Sequence, residues 1–137
     1  MRKLSTRKRD VGMTLNLPYP PSINHYYIRA RQGRIYIGKA GLEYRGAVGF
    51  ALDLLDEKTL TGLISLNIVL HPPDKRKRDI DNVLKALLDA LQHGGAFVDD
   101  SQIWMLTIVK AEPSKGGSVT VTITEDKAAY ERLKGGE

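Results

Sequence analysis

The side chains best able to do chemistry lie between Asp74 and Asp100. Lys75, Arg76, Lys77 and Arg78 run straight into Asp79-Ile80-Asp81, Lys85 and Asp89 follow, and Asp99-Asp100 return after a Gly94-Gly95 break. Cations beside clustered carboxylates suit a site that attracts a polyanion and holds a divalent metal against it. Such a mixture points to a phosphodiester substrate. Lys75 to Arg78 would track neighbouring phosphates without reading bases, while the acids carry the metal.

These residues need an element to position them. Ile80, Val83, Leu84, Leu87, Leu88 and Leu91 repeat at helical spacing, and Gly94 stands where a C-terminal cap falls, so the pattern predicts a helix over about 80–92. On its other face Asp81, Lys85 and Asp89 form one row at i+4 steps. If Asp79 is the extended residue entering this helix, its carboxylate can turn to the same side as that of Asp81. Lys85, one turn on, can then meet a phosphate oxygen, and Asp99 or Asp100 would add a further oxygen ligand. A purely structural reading competes with this one. Aspartates in a first turn cap free N–H groups and favour the helix dipole, and Lys85 could pair with Asp81 and Asp89.

The remaining elements follow from periodicity. Met13–Leu17 alternates as a short strand and must end at Pro18-Tyr19-Pro20-Pro21, since prolines donate nothing to a ladder. Asn24 to Tyr36 is basic and interleaved with tyrosines, turning at Gly33. It could lie on a nucleic-acid backbone or cover the core. His25 has no ligand-spaced partner and reads as structural. Lys39 to Asp56 keeps helical period through Tyr44, Val48, Leu52 and Leu55, and Leu63–Leu70 is apolar enough for a central strand. Ile103–Lys110 and Val119–Ile123 read as two strands joined as an antiparallel hairpin through Pro113 and Gly116-Gly117. The order β-α-β-α-β-β predicts a single mixed α/β (α+β) domain, with two main helices on a small mixed sheet of about four strands.

Composition sets limits. The chain has 137 residues and no cysteine, which excludes a disulfide framework and a thiolate metal site and suits a reducing compartment. No apolar run approaches the ~18 residues of a membrane span, so the expected location is cytoplasmic. The five cations of residues 1–9 equal the whole net charge of +5, leaving the rest of the chain neutral, so positive potential there depends on clustering. Residues 1–12 are expected to form a basic tail, residues 13–126 the domain, and residues 127–137 an extension, with Asp126 capping a short helix to about Lys134.

At the level of whole motifs the chain resembles the RusA-type Holliday junction resolvases. The matching pieces are Leu17 to Tyr27, Pro73 to Leu91, Val98 to Ile103 and Gly116-Gly117, in that family's order over roughly Met13 to Glu125. The resemblance implies an endodeoxyribonuclease of a kind phages and prophages encode, acting as a homodimer on four-way DNA junctions in recombination and repair. With Mg²⁺, or Mn²⁺ in its place, it would nick two strands symmetrically. Carried over by position, the essential acids and metal ligands are Asp79, Asp81 and Asp100, and the essential lysine is Lys85. DNA contacts are assigned to Lys75, Arg76, Lys77, Arg78 and Asn82. No organic cofactor is expected.

Two other classes are weighed against this. A binding module without chemistry would explain the cations but not three acids beside them. An Asp-x-Asp metal-dependent glycosyltransferase would explain the acids, but this chain leaves little room for a nucleotide-sugar domain, and a four-cation run does not suit a neutral sugar.

Overall fold

The computed structural model describes residues 11–125 and, beyond them, only positions 128, 131, 132 and 135. The expected basic tail and terminal helix therefore lie almost wholly outside the described residues. Strand β1 (Val11–Pro18) begins slightly before the expected Met13. It buries Met13, Leu15 and Leu17, exposes Thr14 and Asn16, and stops at the prolines. Helix α1 (Ile23–Tyr26) is a single turn that buries Tyr26 completely. The segment expected to turn at Gly33 is a small hairpin of β2 (Tyr27–Arg29) and β3 (Ile35–Ile37), with Gly33 at φ +87°. That backbone angle favours glycine.

Helix α2 (Lys39–Leu55) buries Tyr44, Val48 and Leu52, at the predicted spacing. Strand β4 (Ile64–His71) buries Ile64, Leu66, Ile68 and Leu70. Helix α3 (Asp81–His93) buries Val83, Ala86, Leu87, Ala90 and Leu91 and ends at Gly94 as its C-cap. A short 3₁₀ turn, Asp100–Gln102, leads into β5 (Ile103–Lys110), and β6 (Ser118–Glu125) closes the sheet. The buried faces of β1, β4 and β6 share one core with α2 and α3. On the open face, Thr120 Oγ1 donates to Asn16 Oδ1 at 2.9 Å, as expected of a wet antiparallel surface.

The sheet corrects one expectation. Its strand order is β1-β6-β4-β5, so β5 and β6 are not hairpin partners. β5 pairs in parallel with β4, forming a β-α-β unit around α3, while β6 lies antiparallel between β1 and β4. The connection from β5 to β6 crosses the end of β4 instead of turning back, held by the Ser114 N–H donating to Pro72 O at 2.9 Å. Burial explains the choice: β6 hides Val119, Val121 and Ile123 completely, whereas no residue of β5 is fully buried. The central place goes to the strand with the more cleanly apolar face.

Candidate active site

Most of the residues singled out in the sequence lie at the carboxyl end of β4, where residues 72–80 connect the strand to α3. This loop is tied down by its own charges. The Asp74 carboxylate accepts from Arg78 Nη1 at 2.6 Å and from the Arg76 N–H at 2.9 Å, and Lys110 Nζ, at the end of β5, donates to Arg78 O. The Arg78 and Arg76 hydrogen bonds hold the Asp74 carboxyl well below the usual carboxylate range. Of the four consecutive cations, Arg76 and Arg78 thus build the loop. Lys75 and Lys77 are exposed and have no ion-pair partner among the described residues.

Helix α3 starts at Asp81, and its N-cap residue Ile80 is already helical at φ −59° and ψ −44°. No side chain caps this end. The capping alternative therefore fails for Asp79 and Asp81: both carboxylates are exposed and uncommitted among the described residues. Asn82 is half-buried, and its N–H donates to Asp79 O at 3.2 Å. Lys85, one turn on, is exposed and forms no ion pair with Asp81 or Asp89 within 4.0 Å.

Asp89 is held from the other side. Its Oδ2 accepts from Arg45 Nη2 at 2.8 Å and Nε at 3.2 Å, and from the Tyr26 hydroxyl, while Arg45 Nε also donates to Tyr26 Oη at 3.0 Å. Burial pushes the Asp89 carboxyl up, but the bonds from Tyr26 and Arg45 outweigh it and leave the carboxyl below its ordinary value. Burial and the Asp89 bond together raise the Tyr26 hydroxyl far above the ordinary tyrosine range. Tyr26 and Arg45 are residues that sequence reasoning missed, since neither lies within 40 positions of Asp89 and neither belongs to a local pattern. Lys85 also lines a cleft of ≈550 Å³ with Ile23, Asn24, Tyr27, Arg29 and Ile35.

The second acid pair divides its labour. Asp99 caps the 3₁₀ turn, accepting from Ser101 N–H at 2.9 Å, while Gln102 Oε1 accepts from Asp99 N–H at 2.8 Å in a capping box. The hydrogen bond from Ser101 also holds the Asp99 carboxyl below its ordinary value. Asp100 keeps an exposed carboxylate with no side-chain partner among the described residues, and its N–H donates to Gln92 Oε1 at 3.0 Å. Gln92 belongs to the last turn of α3, whereas Asp81 opens the first. The fold therefore brings Asp79, Asp81 and Lys85 to one end of α3 and puts Asp100 at the other.

Among the described residues, no three His, Cys, Asp or Glu side chains of one chain are grouped closely enough to hold a metal ion. The residues present still fit Mg²⁺. Asp79 and Asp81 are hard oxygen donors free of protein partners, and Mg²⁺ is bound through one or two carboxylates because it keeps waters and takes substrate phosphate.

Comparison with known proteins identifies a family. The family described as Endodeoxyribonuclease RusA matches residues 18–124. The crossover junction endodeoxyribonuclease RusA of Escherichia coli is 38% identical over 113 residues, covering 82% of this chain and 93% of the relative. The protein of the same name from Enterobacteria phage 82 is 40% identical over 116 residues, covering 81% and 92%.

Proposed function

The chain belongs to the RusA family of endodeoxyribonucleases, and from that premise we propose that it resolves four-way DNA junctions in recombination and repair, as a Mg²⁺-dependent homodimer that nicks two strands symmetrically. One observation supports this reading above the others. Asp79, Asp81 and Lys85 stand uncommitted at one end of α3, while the neighbouring Asp74, Arg76, Arg78 and Asp89 are tied into ion pairs. Groups without a structural partner, surrounded by groups that have one, are available to a substrate.

In this mechanism Lys75 and Lys77 draw the phosphate backbone onto the loop, and Lys85 places its ammonium against a non-bridging oxygen of the scissile phosphate. Asp79 and Asp81 would hold Mg²⁺, which when bound would supply Lewis-acid charge and a more acidic water. A water oxygen bonds to phosphorus as the phosphorus–oxygen bond to the leaving strand breaks, the water losing a proton to solvent and the leaving oxygen taking one up. Lys85 then offsets negative charge where it develops. The Arg45 and Tyr26 bonds engage Asp89, one of the two carboxylates that stand a helical turn from Lys85. Two active sites related by a two-fold suit a junction with two equivalent strands, and a C₂ dimer supplies them from one gene.

The test is purified protein incubated with a labelled four-way junction and a matched linear duplex, with and without Mg²⁺. Paired symmetric nicks in the junction, dependent on the metal, are expected. Binding without cutting would leave a DNA-binding module, and no preference for the junction would remove the resolvase reading.

A further inference from the structure

The basic, tyrosine-bearing segment from Asn24 to Tyr36 gives two adjacent rings different tasks. Tyr26 is fully buried and its hydroxyl donates to Asp89, so it covers the core. Tyr27 is only half-buried and stands edge-on to Tyr26, with ring centroids 4.9 Å apart and planes at 78°. Its side chain lines the ≈550 Å³ cleft that reaches Lys85. Ile23 and Ile35, on the same walls, are 37% and 54% exposed, apolar surface that no described residue covers.

The polar groups of this cleft are Asn24, Arg29 and Lys85, all exposed, and no acid is among the residues that line it. The β2–β3 hairpin adds exposed Arg31 and Arg34 beside them. An apolar hollow within a cationic rim suits one kind of guest. A simple apolar group would make no use of the cations, and a free phosphate would make no use of the walls. A nucleotide uses both, since its flat ring stacks on aromatic and apolar surface while its phosphate meets the charge. The size also lies within the range of about 300–1,000 Å³ usual for small-ligand clefts.

The cleft wall and the lysine are mounted on one support. Tyr26, against which Tyr27 packs, accepts from Arg45 Nε at 3.0 Å and donates to Asp89, one turn beyond Lys85 on α3. Arg29 Nη1 donates to Gly33 O at 3.3 Å and ties the hairpin to itself. A wall set in place before the ligand arrives avoids the cost of ordering it on binding.

We propose that this cleft takes up one unstacked nucleobase of the strand being cut, the base next to the scissile phosphate, with its ring against Tyr27 and its edge within reach of Asn24. The proposal rests on the nuclease reading for the contact between Lys85 and that phosphate, from which the base hangs one sugar away. Within a duplex, extruding a base gives up its pairing and both stacking faces. At a four-way branch point the strands change partners and the flanking pairs lose a stacking neighbour, so the base leaves at lower cost. A duplex can thus lie on Lys75 and Lys77 without delivering a base to the cleft. Part of the choice of junction over duplex is then made by an apolar hollow and survives added salt.

The test is a binding cycle on full-length protein without metal, so that no strand is cut. Anisotropy compares wild type with Tyr27→Ala on an intact junction, on a matched duplex, and on junctions carrying one abasic site at each position flanking the branch in turn. Wild type should bind the intact junction about tenfold more tightly than Tyr27→Ala, the size expected of one base stacked on a tyrosine. That ratio should fall to about one on the duplex and on the junction whose abasic site removes the base taken up. Because Tyr27 packs against the core, Ile35→Ser, on an exposed residue of the cleft, serves as the second variant and should show the same pattern. A ratio of one on the intact junction for both variants, or a ratio that persists at every abasic position, would overturn the proposal. Wild-type protein that shows the coupling but cuts nothing in Mg²⁺ would fail the nuclease reading alone, and cutting without the coupling would fail the cleft alone.

Discussion

Arg45 Nη2 lies 2.8 Å from Asp89 Oδ2, joining α2 to α3 across 44 residues of sequence, with the Tyr26 hydroxyl on the same oxygen. Asp89 follows Lys85 by one helical turn, the spacing at which an i, i+4 pair can form. A bond between two helices therefore occupies the carboxylate that stands one turn from Lys85.

Arg45→Met tests this relationship because it keeps most of the stem and removes the charge. The pair is mostly covered, at 22% and 28% side-chain exposure, so losing one member should cost about 1–2 kcal/mol after allowance for solvent. Urea denaturation gives that value. Junction cutting should fall about tenfold as Lys85 turns toward Asp89, while Mn²⁺ affinity holds. Unchanged cutting would show that Lys85 does not need its neighbour sequestered.

The same cluster sets an acid limit. The Asp89 carboxyl is held below its ordinary value of 3.8, the Tyr26 and Arg45 bonds outweighing the effect of burial. A depressed folded value means the stabilisation is complete above 3.8 and is lost as pH falls through the lower folded value. Thermal melts between about pH 5 and pH 2 should fall more steeply for wild type than for Asp89→Asn. Parallel curves would assign the acid limb to other carboxylates.

Asp81→Asn should leave the fold intact to within about 1 kcal/mol, because Asp81 makes no capping bond to lose. Cutting in Mg²⁺ should drop by about a thousandfold or more, since the charge removed is that of a proposed metal ligand. Junction binding without metal should hold or tighten, as one source of repulsion toward phosphate is gone. Near-normal cutting by the folded variant would remove Asp81 from the site.

Salt dependence should separate the four loop cations into two kinds. Lys75→Gln with Lys77→Gln should flatten the slope of log binding constant against log salt by about 0.9 for each phosphate no longer neutralised, at unchanged stability. Arg78→Gln should instead loosen the loop, because Asp74 loses its 2.6 Å partner. Equal slopes in wild type and the double lysine variant would place the DNA track elsewhere.

Gly117→Ala examines how the loop is seated. Gly117 has φ +75°, and a Cβ there would stand 2.9 Å from Tyr19 Cβ and 3.1 Å from Pro73 Cδ. Strain at a left-handed position costs about 1–2 kcal/mol, and the neighbouring loop must shift as well. A lower melting temperature with weakened cutting is expected. Gly116→Ala, which meets nothing within 4 Å, carries the backbone cost alone.

Local rules were enough for much of this protein. The helical spacing of Val83, Leu87 and Leu91 and the alternation of Val119, Val121 and Ile123 required α3 and β6, because each pattern has only one way to bury its apolar side. The acids, the lysine one turn beyond them and the cations before them were legible as neighbours in sequence that remain neighbours in space. Tertiary structure decided what depends on distant partners. β5 and β6 could have formed a hairpin by their connection, but a fully apolar β6 face gained more burial between β1 and β4. Asp89 is engaged by Arg45, which no local pattern ties to it. Asp100 follows the glycine break as a returning ligand should, yet a straight helix and a parallel strand carried it to the opposite edge, because a β-α-β unit always starts its second strand where its helix ends.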